Sequence, residues 1–493
     1  MQEEITRVVI AGGGPVGMLM AAELAGYGID TVVLETKDTT DRHPKAGTLH
    51  ARTVQSLVRR GYLDHPPLSP GTGTVATPFH FGGLPALTIT TPAAEPTPIL
   101  KRSQADLERE FEKWAGERGA RILRQYQVTE VRQTEGHAEV VAEGPDGVRR
   151  FRAEYLVGAD GARSTVRERL GFSADTYSPT VSAMMGVVRP AEPGSIPQGW
   201  QRTPRGWIVG REQPDGYHLV RTLNCAGAHP DRHSPLTRQE LQDELSWIAG
   251  RDIPLTDAQS LSRFSDFARL VHHFRQGRVF LAGDAAHVHF PIGGQGLSTG
   301  LLDALNLAWK LAHALRGTAG DGLLDTYEDE RRPAARQVVD NTRAQLVLMR
   351  PESDLDPLRE LVGELLTMEQ GSHLVGGLVS AQDTVYPPRS ARVSAWEGRF
   401  LDNVPLTTDD EGPTDVVGLL RDGRPILLLL GAGHEATAAA ADGWSHVVRT
   451  VRAEAQPSLP YDALLLRPDG YLAWTPDGDD LAETLRTWFG DPR

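Results

Sequence analysis

Gly12-Gly13-Gly14-Pro15-Val16-Gly17 follows directly on the apolar run Val8-Val9-Ile10, and no other stretch constrains the fold as much. Consecutive apolar residues without polar alternation suit a strand buried on both faces of a parallel sheet. The glycine spacing fits G-x-G-x-x-G. Gly12 permits a tight turn, Gly14 lets a pyrophosphate approach the backbone, and Gly17 lets the next helix pack closely on the strand. A helix over residues 18–26 follows, ended by Gly28, and then a second strand over 31–35. The start of such a helix offers free N–H groups and the positive end of its dipole to phosphates. Glu35 stands at the end of the second strand, where an acidic residue accepts ribose hydroxyls. Together these features predict a dinucleotide site, although the loop alone does not distinguish FAD from NAD.

Composition narrows the partners. The 493 residues include 51 Lys plus Arg and 65 Asp plus Glu, a formal net charge of −14. Nucleic acid and anionic membranes require basic patches, so neither is expected as a main partner. Cys225 is the single cysteine, which excludes an internal disulfide framework and a thiolate-rich metal site and fits a reducing cytoplasm. His272-His273, His287 and His289 lack carboxylate–histidine ligand spacing, so no metal is expected. The start shows no signal-peptide pattern. The longest strongly apolar run, 426–430, is far short of a membrane span of ~20 residues and reads as a buried strand.

Further along, residues 173–274 hold β-rich pieces separated by Pro and Gly, which suggests antiparallel strands. Another apolar strand at 278–282 leads into a glycine-rich turn and a helix over 297–315. A helix over 326–349 contains Pro333, which predicts a break. Proline-containing breaks near 351–357 and 386–389 mark a linker zone, followed by a separate α/β module with strands at 425–430 and 463–466 and a closing helix at 479–489.

Two further motifs lie far apart in the chain. Gly158-Ala159-Asp160-Gly161-Ala162-Arg163-Ser164 is one, and Gly283-Asp284-Ala285-Ala286-His287 with Pro291-Ile292-Gly293-Gly294-Gln295-Gly296-Leu297 is the other. With the glycine loop, these three motifs, in this order, resemble the group A flavoprotein monooxygenases, the family of para-hydroxybenzoate hydroxylase. The stretches 80–85, 51–53 and 294–310 are most similar to bacterial aromatic polyketide hydroxylases. The region from about residue 391, with Arg467-Pro468-Asp469-Gly470-Tyr471, resembles their thioredoxin-like third domain, which also lacks a redox cysteine pair.

The resemblance implies an α/β fold in three parts. These are a Rossmann-like FAD-binding domain (1–172 and 275–385), an inserted mixed or antiparallel β-sheet substrate domain (173–274) and a thioredoxin-like domain (391–493). It assigns FAD contacts to Gly12, Gly14, Pro15, Val16, Gly17, Glu35, Lys45, Arg102, Gln104, Val128, Asp160, Asp284, Gly294, Gly296, Leu297 and Ser298. Among these, Asp284 would bond the ribityl chain, and the backbone N–H groups of Leu297 and Ser298 would face the flavin pyrimidine. Ser298 stands where the family often has asparagine. Lys45 stands where it usually has arginine, keeping the charge but losing the planar fork.

The implied activity is a monooxygenase using NADPH or NADH and molecular oxygen, acting through a flavin C(4a)-hydroperoxide on an aromatic polyketide or related polycyclic phenol. Baeyer–Villiger or epoxidising chemistry on a polycyclic ketone or quinone is the alternative. Pro291 and Arg52 are the catalytic candidates, Pro291 against the flavin and Arg52 over it. Phe79, Phe81, Trp207, Tyr217, His218 and Arg221 are candidates for the substrate surface, because aromatic and polar residues on a sheet floor suit a flat ring system. Oligomeric state is left open.

Overall fold

The computed structural model describes residues 3–40, 46–64, 73–231, 234–410 and 412–493. An eight-stranded sheet organises the N-terminal part. Five of its strands, β1 (Glu3–Ala11), β2 (Thr31–Glu35), β7 (Arg121–Arg124), β10 (Gly147–Gly158) and β19 (Val279–Leu281), run parallel in the order β19-β10-β1-β2-β7. The antiparallel β18 (Arg275–Gln276) closes one edge, while β8 (Gln127–Gln133) and β9 (Ala138–Gly144) extend the first half of β10. Helix α1 (Pro15–Gly26) is apolar on nearly every side and is packed between α3 (Gln104–Glu117) and α6 (Gln295–Arg316). Its Met18, Leu19, Met20 and Leu24 are wholly buried, as expected for a helix inside a large core. The short α4 (Thr165–Arg169) follows β10.

The middle of the chain forms an antiparallel sheet in the order β13-β14-β15-β12-β16. Its strands are β12 (Ser182–Pro190), β13 (Gly199–Thr203), β14 (Gly206–Glu212), β15 (His218–Asn224) and β16 (Leu255–Ser265). Side chains alternate between the faces. One face carries Val188, Ile208 and Val220 and is covered by Leu241, Leu245 and Ile248 of α5 (Arg238–Ala249). The other carries Ala183, Trp207 and Leu223 and packs on Phe290, Ile292 and Met349. A three-stranded sheet of β11 (Ala174–Tyr177), β17 (Ala268–Val271) and β20 (His287–Val288) lies beside it in sequence. Two small antiparallel pairs complete this side. One is β3 (Thr48–His50) with β6 (Ile99–Lys101), and the other is the hairpin of β4 (Thr74–Phe81) and β5 (Leu84–Pro92). Helix α2 (Ala51–Arg59) follows β3, and α8 (Asp356–Thr367) and α9 (Glu369–Ser380) pack on β5.

The C-terminal module is a six-stranded sheet in the order β22-β21-β24-β23-β25-β26. It comprises β21 (Pro405–Thr408), β22 (Gly412–Asp415), β23 (Ile426–Leu430), β24 (Arg449–Ala455), β25 (Ala463–Leu466) and β26 (Leu472–Trp474), with helices α10 (Val416–Leu420), α11 (Glu435–Ala441) and α12 (Leu481–Phe489). Strands β23 and β24 are parallel and the other neighbours antiparallel. The architecture is therefore mixed α/β, as expected. No helix among the described residues is long and apolar enough to cross a membrane.

One expectation fails. Helix α7 (Thr326–Leu348) runs through Pro333 without a break. The proline removes one backbone hydrogen bond, but buried contacts hold the helix on both sides of it: Glu330 and Arg331 before it, and Ala335, Val338 and Val339 after it. Glu330 is the centre of an ionic cluster that ties the C-terminal module to α6 and α7. Arg467 donates to both Glu330 oxygens at 2.7 and 2.8 Å, and Lys310 Nζ donates to Oε2 at 2.7 Å. Arg467 also reaches Asp469 at 2.5 Å, and its guanidinium lies 4.9 Å from the Trp488 ring. Burial alone would raise the Glu330 pKa, but Arg467 and Lys310 bring it down to about 2. Burial pulls Lys310 down to about 8.

Removing the carboxylate would leave the buried Lys310 ammonium without its ion-pair partner and Arg467 with Asp469 alone, at a cost of about 3–5 kcal/mol. Glu330→Ala is expected to lower the thermal midpoint by several degrees at neutral pH. Because the folded pKa of Glu330 lies below its ordinary 4.5, its stabilisation is complete above about pH 4.5 and fades toward pH 2. The gap between wild type and variant should close over that acid range in circular-dichroism melts.

Candidate active site

The site is built at one edge of the parallel sheet. Register places Ala11 of β1 beside Gly158 of β10, and Gly158 beside Leu281 of β19. Each of the three motifs therefore leaves its strand at the same level, at the carboxyl ends where such sheets bind ligands. Close packing of glycines draws the turns together. Gly12 has φ +100°, and a Cβ there would lie 2.4 Å from the Ala159 carbonyl oxygen. A Cβ on Gly300 of α6 would lie 2.7 Å from Val16 Cγ2 and 3.2 Å from Gly283 Cα. Arg167 joins the second motif to the third, donating to the Ala285 and Ala162 carbonyls at 3.2 and 3.1 Å.

Buried polar groups fix these turns. The Asp303 carboxylate accepts from the Gly283 N–H at 3.0 Å, lies 2.7 Å from His287 Nε2, and accepts from Arg331 Nε at 2.8 Å. Burial would raise its pKa, but His287 and Arg331 hold it below the usual carboxylate value. Asp303 and Arg331 were not singled out in the sequence. The signal available was a polar stripe, Asp303, Asn306 and Lys310, at helical spacing in an otherwise apolar helix.

The expected cofactor residues fall as follows. Gly12, Gly14, Pro15, Val16 and Gly17 form the turn into α1, whose first turn has no side-chain cap. Glu35 braces this turn, accepting from the Gly13 N–H at 2.6 Å and the Lys37 N–H at 2.8 Å. Val128 is buried on β8 shortly after Tyr126, whose N–H bonds the Glu35 carbonyl. Asp160 accepts from the Val166 N–H at 3.1 Å, and burial raises its pKa. Asp284 is exposed at the turn between Gly283 and Ala285. Arg102 pairs with Glu110, and the Gln104 N–H donates to the Ala46 carbonyl at the start of α3. Gly294 and Gly296 form the entry to α6, followed by Leu297 and Ser298. The Ser298 hydroxyl accepts from the His50 N–H at 3.1 Å, so this side chain anchors β3 to α6. Lys45 lies outside the described residues.

The chain's own features fit FAD. A Cβ on Gly14 would meet no atom of the described residues within 4 Å, which leaves the loop backbone open to a phosphate group. Helix α6 also starts without a side-chain cap. Two buried polar atoms beside the turns, Asp160 Oδ1 and Gln295 Nε2, have no hydrogen-bond partner among the described residues.

The second half of the site faces these turns. Trp207 lies on the sheet face that packs on Phe290 and Ile292, with its Nε1 donating to the Met349 carbonyl at 2.6 Å. Arg221 has the same facing, because it pairs with Val209 directly across the strands. Phe79 and Phe81 come from β4. Phe79 sits 5.3 Å from the His50 ring, and the Gly82-Gly83 tip of the hairpin touches Leu348 and Trp207. His50 Nε2 lies 2.6 Å from the Gly293 carbonyl. His50 and Thr48 thus tie β3 to the third motif, a role that the sequence did not reveal.

Two expected substrate residues lie elsewhere. His218 shares strand parity with Val220 and so sits on the face covered by α5. Tyr217 precedes the strand, and its hydroxyl donates to Asp257 at 2.5 Å. Alternation along β15 separates His218 from Arg221 and Leu223. Pro291 is exposed at the turn before Ile292. Arg52 is buried in α2, bonded to Gln55 at 2.8 Å and the Gln382 carbonyl at 2.8 Å, with its guanidinium 3.6 Å from the Phe400 ring centre. These contacts bind α2 to the segment that leads into the C-terminal module.

Comparison with known proteins follows the same division. Residues 5–342 match the FAD binding domain family, and residues 394–492 match the aromatic-ring hydroxylase C-terminal family. The chain is 37% identical to the 12-dehydrotetracycline 5-monooxygenase/anhydrotetracycline 6-monooxygenase of Streptomyces rimosus, over 98% of this chain and 99% of that protein. Its fold matches the structure of an anhydrotetracycline hydroxylase from Streptomyces rimosus with a TM-score of 0.88 at 35% identity, covering 99% of this chain and 100% of the other. It also matches an aklavinone-11 hydroxylase in ternary complex with FAD and aklavinone, with a TM-score of 0.74 at 28% identity and 99% of each chain covered.

Two outcomes follow from the geometry. Gly300→Val would drive side-chain atoms into Val16 and the Gly283 backbone, and is expected to strip most FAD from the purified protein, read as the loss of flavin absorbance per chain. Arg52→Ala removes a cation–π contact and two hydrogen bonds. It is expected to cost about 1–3 kcal/mol of stability, read by thermal melts, with FAD content retained.

Proposed function

The chain belongs to the FAD-binding aromatic-ring hydroxylase family, and from that premise we propose that it hydroxylates a polycyclic aromatic polyketide, using NADPH or NADH and molecular oxygen. The observation that carries this reading is the meeting of three backbone turns at one sheet edge, opposite the Trp207 face of the middle sheet. One surface suits a dinucleotide, the other a flat apolar ring. In net terms, substrate, oxygen, reduced nicotinamide and a proton give hydroxylated product, oxidised nicotinamide and water.

When bound, FAD supplies the redox chemistry that activates oxygen and delivers one atom of it. The protein's part is to bind, orient and exclude water. Gly12, Gly14, Pro15, Val16 and Gly17 with the start of α1 would hold the pyrophosphate, and Glu35 and Val128 the adenosine end. Arg102, Gln104, Asp160 and Asp284 would hold the middle of the cofactor. Gly294, Gly296, Leu297 and Ser298 would present the positive end of α6 to the flavin ring, where it favours developing negative charge. Pro291 would lie against that ring. Arg52 would act through the placement of α2, as a positioning residue. Phe79, Phe81, Trp207 and Arg221 would border the substrate. The C-terminal module reads as thioredoxin-like by its parallel β23–β24 pair within an otherwise antiparallel sheet. It has no redox cysteine pair, since Cys225 is the only cysteine of the chain.

The purified protein should be yellow, and Asp284→Ala should retain less FAD. Incubation with FAD, NADPH and a panel of polycyclic phenols and quinones should give a product heavier by one oxygen with its ring system intact, read by mass spectrometry. A ring-opened or lactone product would favour Baeyer–Villiger chemistry instead. A colourless protein unable to take up FAD would overturn the reading.

A further inference from the structure

We propose that Lys101, Arg211 and Arg221 form an anion subsite in the substrate cleft, so that the aromatic substrate carries a carboxylate or a comparably acidic oxygen. The proposal rests on the cleft assigned above and adds the chemical class of group that the cleft selects.

Strand parity puts the two arginines on the cleft side. Trp207 and Arg211 share one face of β14, and Arg221 stands across from Val209 between them. That face begins apolar, where Trp207 meets Phe290 and Ile292, and becomes cationic farther along. Lys101 arrives from the facing strand β6. Its Nζ donates to the Thr48 hydroxyl at 2.9 Å and lies 6.0 Å from the Phe79 ring centre. Thr48 in turn touches Gly294 of the third motif, at 3.2 Å from a Cβ placed there. From Phe79 a chain of rings, His80, Trp200 and Trp207, with centres 4.6, 4.5 and 6.1 Å apart, leads to the face of β14 where Trp200 stands opposite Val209, so the three cations border the same aromatic residues.

They are also uncompensated. Among the described residues no carboxylate forms an ion pair with Lys101, Arg211 or Arg221, although most arginines of this acidic chain have one or a backbone carbonyl. Desolvation lowers the Lys101 pKa, and Arg211 and Arg221 lower it further, so the charges sense one another. Desolvation also lowers Arg221, while its side chain keeps substantial solvent access. The nearby histidines add no further charge. Burial brings both His50 and His80 down to about 4, which keeps them neutral at pH 7. Three like charges held near one another repel, and a bound anion relieves that repulsion through charge-assisted hydrogen bonds.

The test uses the FAD-loaded full-length protein and two probes of nearly equal shape, anthraquinone-2-carboxylate and anthraquinone-2-carboxamide, titrated by isothermal calorimetry. The carboxylate is expected to bind at least about tenfold more tightly than the amide, with the preference shrinking as salt rises. In the triple variant Lys101→Gln, Arg211→Gln, Arg221→Gln, the ratio should fall to about one while amide binding persists, which shows that the cleft is intact. Equal affinities in the wild type, a preference that survives in the triple variant, or no binding of either probe would each overturn the subsite. A yellow protein that oxidises NADPH with a neutral polycyclic phenol but shows no acid preference overturns the subsite alone. A protein that fails to retain FAD or to consume reductant tells against the assigned function itself.

Discussion

A single buried carboxylate holds together the sheet edge where the third turn meets the two long helices. Asp303 receives the Gly283 N–H, the His287 ring nitrogen and the Arg331 guanidinium within 3.0 Å. It thereby locks the turn of the third motif to both long helices. An unpaired carboxylate at this depth would be costly, and three partners make it tolerable. The start of α6 and the turn that carries Asp284 are positioned by the same contact. The orientation of that turn and of the first turns of α6 thus depends on one buried side chain.

The ionic cluster around Glu330 acts at a larger scale. Arg467 comes from the C-terminal module, Glu330 from α7 and Lys310 from α6. Asn403 and Arg59 make a second tie through Glu95, with the Arg59 guanidinium 2.6 Å from the Glu95 carboxylate. Arg52 on Phe400 makes a third. All three ties reach helices that border the cofactor edge. The C-terminal module, without redox groups of its own, therefore serves as a buttress for α2, α6 and α7.

Much of this was legible in the sequence because it rests on local rules. The glycine spacing at 12–17, the apolar run before it and Glu35 after it each predict a backbone conformation from nearby residues alone. The β-rich character of the middle region was equally readable. The face of each residue on β15 was not. His218 and Arg221 are three positions apart, and strand alternation sends them to opposite sides. The strand start and its partner must be known before that parity can be assigned. Pro333 misled for a related reason: its local cost is real, but buried ion pairs and apolar contacts on both sides outweigh it.

By itself, the sequence determined the dinucleotide turn, the three motifs and their order, the α/β class and the lack of a redox cysteine pair. Each of these follows from short-range stereochemistry or from residue inventory. Only the tertiary structure decided that the motifs meet at one level of one sheet, that Arg52 is buried against Phe400 and bonded to Gln382, and that His218 and Arg221 fall on opposite faces of the middle sheet. Those facts depend on strand register and on contacts between residues far apart in the chain, such as Arg52 and Gln382 or Glu330 and Arg467. Register and long-range pairing are set by the packing of the whole core, which no local pattern specifies.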